Sequence, residues 1–468
     1  MLPKRLAEKG YTSYHVGKVR PCARSSPACS ASASPPPPIA ANRHSRLVLP
    51  PFSLPPRSLL AQWHQGLYAP QYTPKGRGFN FTNGFLCGGE DHFNQAADLS
   101  VGTCNGTTAV RDIWLDDAVA PQFAGNYTGS RFAAAAVDYV RAHAARNAAA
   151  APAAPAPLFL FLALHNTHAP LQSLPQFEQL YANVSFKTQR EYFAMMSTAD
   201  AALANLTAAL KETGAWDNTL LVYTHDNGAP VQVGGSNFPL RGGKGSNWDG
   251  GVRVPAIFGG GLLPAAQRGR VASAGDYAHV VDLYATFLAL AGLPAADPGG
   301  PAPVDSVDLW PWVSGAARAS PRANRTLVID HTRYDEHLRG QRGALRRGAY
   351  KLLVGARGGE LQASWYGRFS PNASAPSPSL NYSACDGFVA PGGCLFAVGA
   401  GDETEHVDLA AAEPAVFAEL LAEFRALNDT YHAPNDNPPS DEAGECAAAV
   451  KAGYIATPWR SEPLPGSL

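Results

Sequence analysis

The sequence predicts an α/β fold, in which a large mixed, mostly parallel sheet is sandwiched by helices and followed by a smaller C-terminal α+β subdomain. Apolar runs of strand length alternate with helix-like segments between about residues 131 and 260, and such alternation is typical of parallel sheets. After about residue 320 the apolar runs become short and β-like before a final helix. The 468 residues, 46% of them hydrophobic, are enough for two or three domains.

Each element follows from a local pattern, taken in chain order. A helix that ends at Gly10 and a strand over 11–16 open the chain. The later predictions are an Ala-rich helix over 131–149, a strand over 158–164, a helix over 197–213, a strand over 219–223, β-like runs over 326–329 and 350–354, and a helix over 414–427. The run over 158–164 has the length of a buried strand, and no apolar run reaches the ~18 residues of a membrane span.

Net charge and glycosylation sequons bear on the partners and the cellular route of the protein. The formal net charge of −1 gives no reason to expect nucleic acid or an anionic membrane as a partner. Nine Asn-x-Ser/Thr sequons indicate surface loops of a protein that passes through the secretory pathway. They start at Asn80, Asn105, Asn126, Asn183, Asn205, Asn324, Asn372, Asn381 and Asn428. Because no signal-peptide core follows Met1, we expect the signal peptide to be missing from this chain.

The seven cysteines permit a few disulfides but form no CxxC pair, so zinc and dithiol redox chemistry have no support. Cys385 and Cys394 flank a Gly/Pro-rich loop that closes easily. We predict a disulfide between them. Pairing of either residue with Cys446, or a free thiol, stays open as the alternative.

Two predicted strands end in polar motifs, and functional groups gather at the carboxyl ends of strands in open α/β sheets. Asp226 and Asn227 follow the strand over 219–223 and offer two hard oxygens, which suit Ca²⁺ or Mg²⁺. An ordinary Asp-Asn-Gly turn is the alternative. His165 and His168 follow the strand over 158–164, where they either bind metal or an anion, transfer protons, or form a pair of surface histidines.

A Gly-rich loop over 241–246 contains Lys244. Its backbone N–H groups and the lysine suit an anion. The loop lacks Walker spacing, so a nucleotide site is not indicated.

Taken in order, these motifs resemble the formylglycine-dependent sulfatases of the alkaline phosphatase-like superfamily, and most of all the arylsulfatase B-like branch. The matching segments are Gly10-Tyr11-Thr12, Gly17-Lys18, Trp63-His64-Gln65-Gly66, Tyr72-Thr73-Pro74-Lys75-Gly76-Arg77-Gly78-Phe79, His168-Ala169-Pro170-Leu171-Gln172, Asp226-Asn227-Gly228, Pro239-Leu240-Arg241-Gly242-Gly243-Lys244, Asp249-Gly250-Gly251-Val252-Arg253, Tyr350-Lys351-Leu352-Leu353, Cys394-Leu395-Phe396 and Glu403-Thr404-Glu405-His406-Val407-Asp408-Leu409. The resemblance covers nearly everything except residues 19–62.

The resemblance implies hydrolysis of sulfate esters by a formylglycine nucleophile and a divalent cation, usually Ca²⁺. Asp226 and Asn227 match one half of the family's metal ligands. Lys244 matches the lysine on the sulfate and leaving oxygen, and His168 the histidine that contacts sulfate and protonates the leaving group. A further pair, Lys18 and His64, matches the Gly-Lys-Trp-His motif that orients the formylglycine and sulfate.

Two family elements are not in the sequence. There is no Cys-x-Pro-x-Arg motif to supply the formylglycine, so the chain has no nucleophile. The only adjacent pair of aspartates, Asp116 and Asp117, lies far downstream in a predicted helix. We expect the strand that carries both elements to precede Met1, and we expect the chain as written to be inactive.

Residues 19–62 differ from the rest of the chain, with ten Pro, eight Ser, five Arg and no acidic residue. This composition predicts disorder. Removing the stretch joins Gly17-Lys18 to Trp63-His64, as in the family, and codons of Val19 and Gln62 match intron borders. We therefore interpret it as a retained intron. The predicted domains are a catalytic domain over 1–18 and 63–318 without its N-terminal strand and a C-terminal subdomain over 319–468.

Three functions compete at this point. The first is a sulfuric ester hydrolase, lysosomal or extracellular, whose substrate is a sulfate ester of carbohydrate. The second is a non-catalytic secreted glycoprotein that binds sulfated glycans. The third, a phosphohydrolase of the same broader fold, is disfavoured by the sulfatase-like loop around Lys244.

Overall fold

The computed structural model describes residues 1–18, 69–97, 103–104, 108–116, 118–231, 233–273, 275–296, 305–335, 340–355, 385, 392–427, 442–454 and 457–458. The predicted insert over 19–62 and His64 lie outside these residues. The strands are β1 (Thr12–Lys18), β2 (Phe81–Phe85), β3 (Thr103–Cys104), β4 (Thr108–Ala109), β5 (Trp114–Leu115), β6 (Ala118–Val119), β7 (Leu158–Ala163), β8 (Leu221–Thr224), β9 (Ala256–Gly259), β10 (Leu327–Asp335), β11 (Gly340–Arg347), β12 (Tyr350–Val354) and β13 (Cys394–Phe396). The helices are α1 (Leu2–Ala7), α2 (Thr128–Ala149), α3 (Pro175–Glu178), α4 (Lys187–Glu212), α5 (Asp249–Val252), α6 (Asp282–Leu290), α7 (Trp310–Val313), α8 (Pro414–Ala426) and α9 (Glu442–Lys451).

A five-stranded mixed sheet forms the centre, with the strand order β6-β5-β2-β1-β7. β1 is parallel to both β2 and β7, whereas β5 and β6 join antiparallel at the far side. Helices cover both faces of this sheet. The predicted α/β class is therefore confirmed.

The register of the sheet sorts its side chains into two layers. Tyr14 and Val16 of β1 point with Leu160 and Leu162 of β7 toward α2 and α4. The opposite face carries Phe159, whose ring lies 6.0 Å from that of Phe287 in α6. This alternation is the period of two that a strand imposes on its side chains.

Two features of the sheet differ from the sequence expectation. β7, a continuous apolar run of the kind expected for a buried strand, is the last strand on its side in the described part of the sheet, and Phe161 is 40% exposed. β8 pairs antiparallel with β9 in a separate two-stranded sheet rather than joining the central one. Periodicity predicts that a strand exists but does not select its partner.

A second, antiparallel sheet, β10-β11-β12-β13, forms the C-terminal part. Its apolar face packs on α8, with Leu352, Leu395 and Phe424 fully buried in one cluster. The predicted disulfide between Cys385 and Cys394 is confirmed, with a Cα–Cα distance of 4.9 Å. An α+β subdomain is therefore present, while the boundary near residue 318 stays a prediction.

Two local predictions are wrong. α4 begins at Lys187 rather than near residue 197, because the first two turns carry no cap signal that marks their start. Asp116 is not helical: it has a φ of +54° in the tight turn between β5 and β6. None of the described helices is both long and apolar enough to span a membrane.

Candidate active site

Lys18 is the last residue of β1 and is only 4% exposed. The preceding Gly17 has a φ of +117°, and a Cβ atom there would lie 1.9 Å from the carbonyl oxygen of Ala163 in β7. Only glycine lets the two strands approach so closely. Close packing of β1 on β7 therefore requires glycine at position 17, next to Lys18 at the end of the strand.

His168 lies in a tight turn after β7, where its backbone N–H donates to the carbonyl oxygen of His165 at 2.9 Å. Its Nδ1 is 2.8 Å from the carbonyl oxygen of Ala169. Because a carbonyl oxygen only accepts, Nδ1 carries the proton in this hydrogen bond and Nε2 keeps its lone pair. The neutral ring therefore presents an acceptor at Nε2.

The charges of both lysines act on the two histidines. Burial, and then the charges of Lys18 and Lys244, lower the pKa of His168 to about 3. Burial also lowers the pKa of His165 well below its usual value, and the same two lysines add to the effect. Since such charge effects weaken with distance, both lysines lie within the range of charge interaction with the two histidines. His165 is 1% exposed, so it is not a surface histidine.

Asp226 and Asn227 follow β8, as the sequence predicts. The Asn227 side chain donates through Nδ2 to the carbonyl oxygen of Gly228 at 2.9 Å. Its Oδ1 is buried and has no hydrogen-bond partner among the described residues. A buried amide oxygen without a partner is costly, so this atom is available for a cation.

The turn that carries His168 lies near Asp226. Burial raises the pKa of Tyr192, a hydrogen bond with Thr167 opposes the shift, and the charge of Asp226 adds to it. Tyr192 is therefore in contact with the residue before His168 and close to Asp226. This tyrosine links the candidate metal ligands to the histidine turn.

The loop of Lys244 is tied to the loop after Asn227 by one side chain, Asn237. Its Nδ2 donates to the carbonyl oxygens of Ala229 at 2.9 Å and Gly242 at 3.0 Å. Its Oδ1 accepts the backbone N–H of Ala229 at 2.7 Å, and the backbone N–H of Lys244 donates to the Ala229 carbonyl oxygen at 3.2 Å. Sequence reasoning missed Asn237, which has no signal beyond its place in a Gly-rich loop.

Glycines allow these two loops to lie against each other. The backbone N–H of Gly228 donates to the carbonyl oxygen of Gly251 at 2.9 Å. A Cβ atom on Gly228 would lie 1.7 Å from the carbonyl oxygen of Gly250. The backbone of the Asp226-Asn227-Gly228 motif therefore packs directly on that of the Asp249-Gly250-Gly251 motif.

Sequence reasoning also missed a buried acid beside Lys18. Glu90 is 1% exposed and accepts a hydrogen bond from Thr128 Oγ1 at 2.7 Å. Burial raises its pKa well above the usual range, although Thr128, Arg131 and Lys18 oppose the shift. Lys18 therefore has a carboxyl group in its own surroundings.

Charge interactions thus connect Lys18 and Lys244 with His168, and Tyr192 connects the turn of His168 with Asp226. Their roles stay predictions at this point. The position of His64 lies outside the described residues.

Comparisons with known proteins indicate one family. A family model described as Sulfatase matches residues 57–293, just over half of the chain. Mouse (Mus musculus) arylsulfatase J is 28% identical over 421 residues, which cover 86% of this chain and 64% of that protein. Rat (Rattus norvegicus) N-acetylgalactosamine-6-sulfatase is 30% identical over 216 residues, 43% of this chain and 36% of the rat protein. The chain therefore spans less than two thirds of the length of these relatives.

The fold has a counterpart among solved structures. Ps i-CgsB, in a crystal structure with k-i-k-neocarrahexaose, superposes with a TM-score of 0.61 and 20% sequence identity. The superposition covers 97% of this chain and 80% of Ps i-CgsB. At this identity the likeness concerns the fold alone.

Proposed function

The chain belongs to the sulfatase family, and on this basis we propose that its site binds sulfate esters, with sulfated glycans as the class, and serves their hydrolysis. The observation that carries the proposal is the joint effect of Lys18 and Lys244 on His168. Two lysines that interact with a neutral, largely buried imidazole suit an anionic ligand. A sulfate monoester supplies such an anion.

The chain's own residues have distinct roles in this proposal. Lys18 and Lys244 neutralise the sulfate oxygens where negative charge grows as the ester bond breaks. The anionic ester offsets the two lysine charges, so the pKa of His168 rises from its value of about 3. Nε2 then takes a proton from solvent, and this proton would go to the leaving oxygen once a nucleophile, which the 468 residues do not supply, attacks the sulfur.

A divalent cation, Ca²⁺ in this proposal, suits the loop after β8. The unpartnered Oδ1 of Asn227 and the adjacent carboxylate of Asp226 are the hard oxygen donors such an ion prefers. Within the described ranges no group of three or more His, Cys, Asp or Glu forms a metal site, so these two residues are one part of a coordination shell. When bound, the ion would supply positive charge to the sulfate oxygens.

No cysteine of this chain matches the one from which the family makes its formylglycine. The 468 residues contain no Cys-x-Pro-x-Arg motif. We therefore derive no step through that group. The same observation favours the second candidate function, a non-catalytic glycoprotein that binds sulfated glycans through the same lysines.

Two further observations support the glycan class and the secretory route. One relative, N-acetylgalactosamine-6-sulfatase, is named for an amino sugar. The five sequon asparagines that fall in the described part, Asn80, Asn126, Asn183, Asn205 and Asn324, are all exposed. Exposure is what N-glycosylation of a secreted protein requires.

The test is calorimetric titration of the full chain with 4-methylumbelliferyl sulfate and with 6-sulfated N-acetylgalactosamine in a Ca²⁺ buffer. We expect saturable binding that weakens at least tenfold in Lys244→Ala. Lys9→Ala is the matched control, because Lys9 is exposed at the opposite end of β1 from Lys18. Equal binding by wild type and Lys244→Ala, or tighter binding of phenyl phosphate than of the sulfate, would contradict the proposal.

A further inference from the structure

The loop after β2 contains a histidine that none of the predicted roles uses. His92 is completely buried, and its Nε2 lies 3.0 Å from the carbonyl oxygen of His168. Because the carbonyl accepts, Nε2 carries the proton and donates. His92 thus touches the main chain of the site histidine and leaves the His168 ring open.

The ring of His92 is stacked on two aromatic neighbours. One face stacks on His165, with ring centroids 4.0 Å apart and planes at 16°. The other partner is Tyr127, at 5.6 Å and 18°. His165 in turn stacks on His168 at 5.5 Å. Three imidazoles are therefore in consecutive ring contact, and the last of them belongs to His168 of the proposed sulfate site.

The backbone of His92 is fixed as firmly as its ring. Its N–H donates to Oε1 of Gln172 at 2.8 Å, and its carbonyl oxygen accepts the N–H of Thr128 at 2.8 Å. Gln172 also donates through Nε2 to Oδ2 of Asp91 at 2.7 Å. Residues 91–92 are therefore hydrogen-bonded to the segment over 168–172 at two places, the carbonyl of His168 and the side chain of Gln172.

The protonation state of His92 agrees with a donor role. Its Nδ1 is buried and has no hydrogen-bond partner in the described ranges, as expected for the unprotonated nitrogen of a neutral ring. Burial lowers the pKa of His92 to about 4, despite the hydrogen bond to His168. At neutral pH the ring therefore has one proton, on Nε2.

We propose that His92 is a positioning residue for His168: its Nε2–H group holds the His168 carbonyl and thereby fixes the turn that orients the His168 ring. This inference rests on the proposed function, because it gives that ring its orientation for the sulfate ester. It goes further by assigning a residue outside the predicted site. A buried histidine that only fills the core would need its shape but not its donor.

Two substitutions separate the donor from the ring. His92→Gln keeps an N–H donor near the position of Nε2 but removes the aromatic ring, whereas His92→Phe keeps a stacked ring and removes the donor. With ¹⁵N-histidine labelling, the imidazole signals of His168 are followed and assigned through His168→Gln. We expect His92→Phe to shift these signals and His92→Gln to leave them near those of the wild type.

Titration with 4-methylumbelliferyl sulfate gives the second readout. We expect roughly tenfold weaker binding for His92→Phe and a change of less than threefold for His92→Gln. Gln172→Leu releases the same turn without changing the buried ring, and we expect it to behave like His92→Phe. This variant carries the test if His92→Phe does not fold.

Unchanged His168 signals and unchanged binding in a folded His92→Phe, or in Gln172→Leu if that is the variant that folds, overturn the proposal. A folded His92→Gln as impaired as His92→Phe overturns it as well, because the donor would then not matter. If the wild type does not bind the sulfate ester, the proposed function fails, but the His168 signals still decide the positioning role.

Discussion

The ammonium nitrogen of Lys351 lies 2.6 Å from Oδ1 of Asp249. Lys351 belongs to β12 of the C-terminal sheet, and Asp249 begins the short helix α5, five residues after Lys244. Glu405 adds a second carboxylate at 2.7 Å, and both Lys351 and Glu405 are completely buried. The C-terminal sheet thus holds the segment that carries a proposed sulfate ligand.

Lys351→Met should destabilise the whole chain. Burial alone would lower the pKa of Lys351, but the charges of Asp249 and Glu405 outweigh it and raise the pKa, so the lysine is charged. Removing it takes the ammonium group away from two buried carboxyl groups, of which Asp249 keeps Arg253 at 3.7 Å, and costs about 3–5 kcal/mol. Urea unfolding measures this, with Lys9→Met as the exposed control. A Lys351→Met variant as stable as the control would show that the pair is dispensable.

His15→Phe should make the stability of the protein less sensitive to acid. The ring of His15 contacts those of Phe79 and Phe161, with centroid distances of 5.4 and 5.7 Å. Burial lowers its pKa from 6.5 to about 3. The unfolded chain therefore takes up the proton first as the pH falls below 6.5, and the folded state loses stability in that window. Between pH 8 and pH 5 the loss is about 2 kcal/mol for this one group.

The measurement is the change in unfolding free energy from pH 8 to pH 5 in wild type and His15→Phe. Buried acids such as Asp112, whose pKa burial raises to about 6, act in the opposite direction. Their contribution is common to both proteins and cancels in the difference. Equal pH dependence in the two proteins would contradict the role of His15.

Sulfate-ester binding should strengthen as the pH falls from 8 to 6. The free protein holds His168 neutral, with a pKa of about 3, and a bound anion raises that pKa. Binding is then coupled to uptake of one proton, so affinity rises by up to about tenfold per pH unit above the pKa of the complex. Calorimetry at several pH values tests this. His168→Gln should bind with a flat pH profile, and a persistent slope in that variant would assign the proton elsewhere.

The chain as written should not turn over an aryl sulfate, because no Cys-x-Pro-x-Arg motif is present to supply the nucleophile. Release of 4-methylumbelliferone from its sulfate is the measurement. The expected rate equals that of a buffer blank. Hydrolysis above the blank that disappears in Lys244→Ala would prove this expectation wrong.

Mature transcripts should run directly from the codon of Lys18 to that of Trp63. The interruption by residues 19–62 separates the two halves of a Gly-Lys-Trp-His motif with an acid-free, Pro-rich stretch. Sequencing of full-length cDNA tests the prediction. A dominant transcript that retains the stretch would establish it as a true insertion.

The sequence by itself determined which segments carry the site. β7 and β8 each run directly into polar motifs at 165–168 and 225–228, and Lys18 ends β1. These relationships are local: strand periodicity, turn residues and the neighbours of a glycine act over a few positions. For the same reason α2, β12 and α8 lie where their local patterns predict them.

Only the tertiary structure decided which distant groups meet. The contact of His92 with His168 joins residues 76 positions apart, and that of Lys351 with Asp249 joins residues 102 positions apart. The pairing of β8 with β9, and not with the central sheet, is of the same kind. Local patterns carry no information on such pairs, because burial stabilises any arrangement that removes apolar surface from water, and the partner is selected only when the whole core packs.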